Sequence, residues 1–203
     1  MGTDLFEDAP DDTRAAIMQA TYRALCEHGY AGLTIQRIGD EFSKSKSLLY
    51  HHYDGKDDLL LDFLSFMLDR YRETVPRWES EDPEPRLRSL IDYVVPVDID
   101  DERREFRKAM VELRAQAAHD EAYRDHFTES DRFFRSEVAK VVAEGIERGD
   151  FRDVDPDAAA AHLQTTFEGA MVRGATTEFG DEAAAVREEL HRYVDRLVAE
   201  DDE

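Results

Sequence analysis

The sequence predicts an all-α protein: a small N-terminal unit of three short helices fused to a larger helical bundle, about nine helices in all. Three observations support this. Apolar residues recur at helical spacing along nearly the whole chain. No stretch alternates apolar and polar residues as a half-buried strand would. The 10 glycines and 6 prolines are few for 203 residues and read as punctuation between periodic segments.

The elements follow in order. Asp11 or Asp12 is placed to cap a first helix, whose inward stripe is Ile17, Ala20, Thr21, Ala24, Leu25 and His28; Gly29 ends it. Thr34 caps a short second helix carrying Ile35 and Ile38. Ser45 caps a short third helix carrying Leu48, Leu49 and Tyr53, and Gly55 breaks it. Residues 57–75 form a helix with a wide apolar face: Leu59, Leu60, Phe63, Leu64, Met67, Leu68 and Tyr71. Pro76 and the stretch 79–85 interrupt it. The next helix carries Leu87, Leu90, Ile91, Val94 and Val95, and Pro96 stops it. Phe106, Met110, Leu113 and Ala117 mark another. A long helix over residues 121–148 carries Tyr123, Phe127, Phe134, Val138, Val141, Val142 and Ile146. A turn over 147–156 leads to two last helices split near Gly180. Ala159, Leu163, Phe167, Ala170 and Met171 line one; Val186, Leu190, Tyr193, Val194, Leu197 and Val198 line the other. The acidic tail is expected to fray.

Charge bounds the function. Lys plus Arg number 26 and Asp plus Glu 48, a formal net charge of −22, and only five of the cations are Lys. Excess carboxylate with scarce lysine resembles the proteins of salt-accumulating halophiles, in which salt screens self-repulsion. An acidic mesophilic protein is the alternative. No apolar run reaches the ~18 residues of a membrane span, and the acidic N-terminus lacks the basic and apolar regions of a signal peptide. The single cysteine, Cys26, excludes an intrachain disulfide and fits a reducing cytoplasm. Beside apolar neighbours it reads as a buried packing thiol rather than a redox sensor. The charge is also uneven. Residues 1–11 hold four acids and no base, and 57–203 hold 39 acids against 20 bases. Residues 12–56 hold six bases against five acids, and include Lys44, Lys46 and Lys56. In so acidic a chain, a near-neutral segment is where an anion can approach.

Within that segment, residues 34–53 have the layout of a helix-turn-helix, whose second helix enters the DNA major groove. On that second helix Lys46 and Tyr50 share a face, Ser47 and His51 share the neighbouring one, and Leu49 and Tyr53 point back toward the first helix. The outward groups all hydrogen-bond. Lys46 suits guanine O6 and N7, and His51 suits base edges. Ser47 and Tyr50 suit phosphate, and Leu48 suits a thymine methyl. The amides beside Thr34 and Ser45 are phosphate sites. On periodicity alone, a polar face that merely meets water fits as well.

The run GYAGLTIQRIGDEFSKSKSLLYHHYDGKDDLL, residues 29–60, resembles the DNA-binding domain of TetR-family transcription regulators. The match is ungapped at Gly29, Tyr30, Thr34, Ile35, Ile38, Ser45, Leu49, Tyr50, His52, Lys56 and Leu59, and Ile17 and Ala20 fit upstream. The resemblance implies that Thr34, Tyr50 and Lys56 bind the phosphate backbone. Lys46, Ser47 and His51 would face the bases with Leu48 nearby, and Gln36 would reach DNA from the preceding helix. Three departures stand out. Phe42-Ser43-Lys44 occupies the turn where the family usually has Ala-Gly-Val, so Lys44 replaces an inward apolar residue and becomes a candidate phosphate contact. Ser47 replaces a frequent Gly, and Gly39 a frequent Ala, which loosens the second helix slightly.

The resemblance also implies a division of labour. Residues 1–56 would form the helix-turn-helix DNA-binding domain, and 57–203 the effector-binding and dimerisation domain. The last two helices, about 157–200, would pair with a second subunit, so that a homodimeric repressor reads a palindrome-like double-stranded operator until a small-molecule effector releases it. The apolar stripes there exceed what one chain needs for its own core. The stretch TTFEGAMVRGA, residues 165–175, resembles the matching helix of BetI-like regulators, some of which respond to choline. Candidate effector contacts are Trp78, Tyr93, Phe106, Met110, Tyr123, Phe127, Phe134 and Phe167, each of which also reads as plain core. Arg173 is placed to hold an anionic ligand or to pair with Glu168 or Glu178.

Other functions lack their residues. The sequence has no Gly-rich phosphate loop, no Gly-x-Ser-x-Gly and no Cys/His zinc spacing. Glu188–His191 is a single Glu-x-x-His pair where a di-iron bundle needs two, and Asp98, Asp100 and Asp101 lack the spacing of a calcium loop. The reading is therefore not an enzyme, with no cofactor, no metal and no membrane. A regulator governed by a protein partner or by its own abundance stays open beside the ligand-gated one. A helical enzyme or binding module with a degenerate helix-turn-helix is the remote alternative.

Overall fold

The computed structural model describes Phe6, residues 12–74 and residues 82–199. Asp11, Pro76, Trp78 and the end of the acidic tail lie outside the described residues. Nine α-helices and no strand occur among the described residues. They are α1 Thr13–Gly32, α2 Ile35–Glu41, α3 Ser47–His52, α4 Lys56–Thr74, α5 Pro83–Val94, α6 Asp101–Gln116, α7 Glu121–Arg148, α8 Pro156–Thr176 and α9 Gly180–Leu197. They pack as two compact units. One holds Met1–Thr74 and Asp100–Thr128, the other Val75–Ile99 and Glu129–Glu203.

In the first unit the start signals of α1 and α2 act where the sequence places them. The Asp12 side chain caps α1 by accepting from the Ala15 amide at 2.7 Å. Gly29 leaves the helical region at φ 62°, and α1 resumes for one short turn beyond it. The buried stripe is Ile17, Ala20, Thr21, Ala24 and Leu25, joined by Ala15 and Met18. Thr21 is buried without loss because its hydroxyl donates to the Ile17 carbonyl at 2.8 Å. His28 is only half-buried, so its expected place in the stripe is not taken up. Ile38 and Leu49 are fully buried and join α2 and α3 to Leu59, Leu60, Phe63 and Leu64 of α4. On α6 the inward residues are Ala109 and Leu113. Phe106 and Met110 pack at the edge of that core instead, because an alanine at the closest approach lets the helix lie flat against α1.

The packing boundary does not fall at residue 56. The helices α1–α3 share one continuous core with α4, α6 and the first two turns of α7, through Tyr123 and Phe127. Three short helices alone would bury too little apolar surface to hold a fold.

In the second unit Leu87, Ile91, Val95, Val142, Ala160, Leu163 and Val194 are the centre of the core. Pro83 and Pro156 sit in the first turns of α5 and α8, where a missing N–H costs nothing. After α7 the chain reverses at Gly149, φ 80°. It then lays the Phe151 ring over Gly145, where no side chain stands in the way. Arg88 joins α5 to α9, donating to Asp195 at 2.6 Å while also holding Glu84. Phe134, expected inside, is 36% exposed.

Candidate nucleic-acid interface

The site begins with the seat beneath α3. Leu49 is fully buried. Tyr53, the residue that ends α3, donates its hydroxyl to Asp62 of α4 at 2.6 Å. Asp62 also accepts from Arg14 of α1 at 2.6 Å. Burial pushes the Asp62 carboxyl up, but hydrogen bonds from Arg14 and Tyr53 and the guanidinium charge outweigh it and hold it below its usual range. One carboxylate thus fixes the end of α3 against α1 and α4.

The opposite face of α3 is open. Tyr50 is 63% exposed, and Ser47 and His51 are exposed beside it. The His51 and His52 rings meet edge to face, 5.5 Å apart. Leu48 is half-buried and packs against the core. Gln36 is exposed in the first turn of α2, and Thr34 caps that helix by accepting from the Arg37 amide at 3.2 Å.

The turn differs from expectation. Ser45 does not cap α3. The helix begins one residue later, at a Lys46 cap without a side-chain bond. The Ser45 hydroxyl pairs with that of Ser47 at 2.8 Å instead, while its carbonyl accepts from the Leu48 amide. Phe42 packs inward, which lets Lys44 swing out and donate to Thr13 at the start of α1, 3.3 Å away. Lys46 does not project from the outer face as helical spacing suggests. Its ammonium forms an ion pair with Asp40 at the end of α2. Its stem runs past Gly39, where a Cβ would lie 3.1 Å from Lys46 Cγ.

Lys56 lies at the start of α4 with its ammonium 3.9 Å from the centre of the Tyr30 ring and 3.3 Å from the Tyr30 carbonyl. The Tyr30 amide donates to Glu112 of α6 at 2.7 Å. Asp57 accepts from the hydroxyls of Tyr30 at 3.3 Å and Tyr123 at 3.1 Å. Burial, then the nearby Asp57 charge, pushes the Tyr123 phenol far above its usual value, so it stays a donor. This polar cluster ties α6 and α7 to the end of α1 and the start of α4.

The described effector candidates are divided between the two units. In the first unit Tyr123 and Phe127 are buried, and Phe106 meets the Tyr22 and Phe63 rings at 4.7 and 6.4 Å. Met110 packs on the same core. In the second unit Phe167 is core, and Tyr93 is 40% exposed. Arg173 pairs with Glu182, a partner the sequence did not suggest, and lies over the Phe179 ring. Cys26 is half-buried, and burial is the main cause that pushes its thiol up to about 11.

Asp40, Asp62, Glu112 and Tyr30 are the site residues that sequence reasoning missed. Asp40 and Lys46 flank a turn, Tyr53 and Asp62 lie on different helices, and Tyr30 and Glu112 are far apart in the chain. None of these pairs has helical spacing, so no local pattern announces it.

Residues 17–63, which include α2, α3 and Asp62, match the family described as bacterial regulatory proteins, tetR family. Residues 83–199, more than half of the chain, match the BetI-type transcriptional repressor, C-terminal. The chain is 27% identical over 175 residues to the HTH-type transcriptional repressor AcnR of Corynebacterium efficiens, covering 84% of this chain and 88% of that protein. It is 26% identical over 193 residues to the HTH-type transcriptional regulator BetI of Burkholderia ambifaria, covering 93% and 95%. A TetR transcription regulator from Haloarcula marismortui superposes with a TM-score of 0.80 at 39% identity, over 92% of this chain and 98% of that one. Family match, fold and an open polar helix on a fixed seat agree: the chain belongs to the TetR family of DNA-binding transcriptional regulators.

Proposed function

We propose that this protein is a homodimeric repressor that reads a palindrome-like double-stranded operator and releases it on binding a small-molecule effector. The observation that carries the reading is α3 itself, locked on one face by Leu49 and Tyr53 and open on the other at Ser47, Tyr50 and His51. Residues 1–56 act as the reading part. Thr34, Gln36, Lys44, Ser45, Lys46, Ser47, Leu48, Tyr50, His51 and Lys56 are the DNA-facing set. Tyr50 and Lys56 hold phosphate, and Ser47 and His51 face base edges.

Residues 57–203 act as the effector-binding and pairing part. Two copies join through residues 157–200. In support, α8 leaves Ala158, His162, Thr165, Gly169 and Val172 exposed at alternating spacings of four and three, a stripe that suits close helix pairing. Effector contacts are sought among Trp78, Tyr93, Phe106, Met110, Tyr123, Phe127, Phe134 and Phe167. Choline is the first effector to try, because residues 165–175 resemble the matching helix of BetI-like regulators, some of which respond to choline. Release requires that the effector bind the non-fitting arrangement of the dimer more tightly than the fitting one. The net charge of −22 and the likeness to the Haloarcula marismortui regulator support work in a salt-rich cytoplasm.

The test is selection of bound duplexes from random DNA in molar KCl, beside a Lys46→Ala, Tyr50→Ala variant. Wild type enriches a palindrome-like site and the variant does not. No enrichment across a range of salt would overturn the assignment of residues 34–53.

A further inference from the structure

In a DNA reader the lysine of the recognition helix is expected to await its acceptor. Here it is already engaged. Lys46 is the cap residue of α3, and its ammonium is held by the Asp40 carboxylate from α2. Both partners remain about half exposed, at 48% and 56% of their side chains, so the pair stands on the surface that meets DNA rather than in the core. Gly39 gives the stem room. Its position is buried, and a Cβ there would sit 3.1 and 3.2 Å from Lys46 Cγ and Cδ and 3.4 Å from Leu49 Cδ1. A methyl there would push the stem by a few tenths of an ångström where it runs toward Asp40.

We propose that Asp40 and Gly39 are positioning residues that keep Lys46 in an internal ion pair, which DNA must exchange, and that this exchange makes operator binding tolerant of salt. The inference rests on the reading of α3 as the DNA-facing helix. The ion balance is explicit. A free lysine ammonium that reaches DNA displaces about 0.9 of a condensed cation, and that release is what salt opposes. An ammonium that leaves Asp40 for DNA displaces the same cation but strips Asp40 of its counter-charge. The bared carboxylate, next to the phosphates, then takes a cation from solution. Release and uptake offset, so Lys46 adds an acceptor-specific contact with almost no salt penalty. At low salt the same pair restrains non-specific attachment, because every phosphate competes with a carboxylate already in place.

The experiment is operator affinity against KCl from about 0.1 to 1 M, using a duplex recovered by selection with the wild-type protein. The variants are Asp40→Asn, Gly39→Ala, Lys46→Ala and Asp40→Asn with Lys46→Ala. Asp40→Asn should steepen the logarithmic salt dependence by about 0.9 for each subunit, about 1.8 for a dimer, a differential change of about 60-fold across that range. Its affinity should exceed wild type at low salt. Gly39→Ala keeps the carboxylate but displaces the stem, and should move the slope the same way. In the Lys46→Ala background Asp40→Asn should leave the slope unchanged. Parallel salt plots for Asp40→Asn and wild type would overturn the proposal. So would equal steepening with and without Lys46, which would make Asp40 a general repulsive charge. A Lys46→Ala protein with wild-type affinity and slope would overturn it while sparing α3 as the reader. Failure of wild type to select any duplex would instead remove the DNA reading beneath it.

Discussion

Tyr50 and Tyr53 lie one helical turn apart on α3, and replacing each by Phe should have opposite effects. Tyr53 donates to Asp62 at 2.6 Å from a half-buried position. A hydrogen bond to a charged group contributes about 1.5–3 kcal/mol. Arg14 still holds Asp62 after Tyr53→Phe, so the lower end applies, about 1.5 kcal/mol, or about 3–6 °C in the melting temperature of a chain this size. The outward face keeps every group, so affinity for DNA below the transition should hardly change. Tyr50 is 63% exposed, and Tyr50→Phe removes a hydroxyl that lies outside the core. Its melting temperature should match wild type. On the proposed reading each subunit loses one hydrogen bond to a charged phosphate, about 1.5 kcal/mol, and a dimer on two half-sites weakens by about 150-fold. Thermal unfolding followed by circular dichroism gives the first quantity, and fluorescence anisotropy with a labelled operator gives the second, both in molar KCl. If Tyr53→Phe melts with wild type, Asp62 is not the seat of the recognition helix. If Tyr50→Phe melts early while binding normally, the two faces of α3 have been assigned the wrong way round.

Three further outcomes follow from the same contacts. The folded-state pKa of Asp62 is depressed. Its stabilisation is therefore complete above the unfolded-state value of about 3.9 and is lost as pH falls through the folded value. Asp62→Asn should flatten the acid side of a plot of urea midpoint against pH, and equal acid slopes would count against the seat. Gly145→Ala places a Cβ 2.1 Å from Phe151 Cδ2 and 2.8 Å from Cγ, inside a ring that is 3% exposed. Overpacking of about 1–3 kcal/mol should outweigh the gain of about 1 kcal/mol in helix propensity, with partial recovery in the double variant with Phe151→Leu, read from the urea midpoint. Gly29→Ala should cost about 1–2 kcal/mol, because φ there is +62° and the new methyl meets a Glu112 oxygen at 3.3 Å. A wild-type midpoint for that variant would mean that the kink relaxes into continuous helix.

The sequence by itself determined the elements and their polarity. Helix ends depend on the few residues beside them, so Asp12, Thr34 and Gly180 act where they were read, while Gly29 kinks α1 three residues before its end. The inward stripes of α4 and α5 were legible too, because one buried face repeats with the helical period. Ser47, Tyr50 and His51 on the outward face of α3 were visible for the same reason, whereas the turn of Lys46 toward Asp40 was not. What only the tertiary structure decided is which charge meets which. With 48 carboxylates and 26 cations in one chain, composition permits many pairings, and helical spacing names only those within a turn. The partners that matter here join separate helices: Tyr53 and Arg14 on Asp62, Lys46 on Asp40, Tyr30 on Glu112. The same limit explains Ser45 and Phe106. A cap can be displaced when the preceding turn is pulled inward by Phe42, and an aromatic on a core-like period can be edged out where an alanine packs closer. Local chemistry sets where a helix starts and which face is apolar. Only the assembled packing sets how far each side chain must reach and what it finds there.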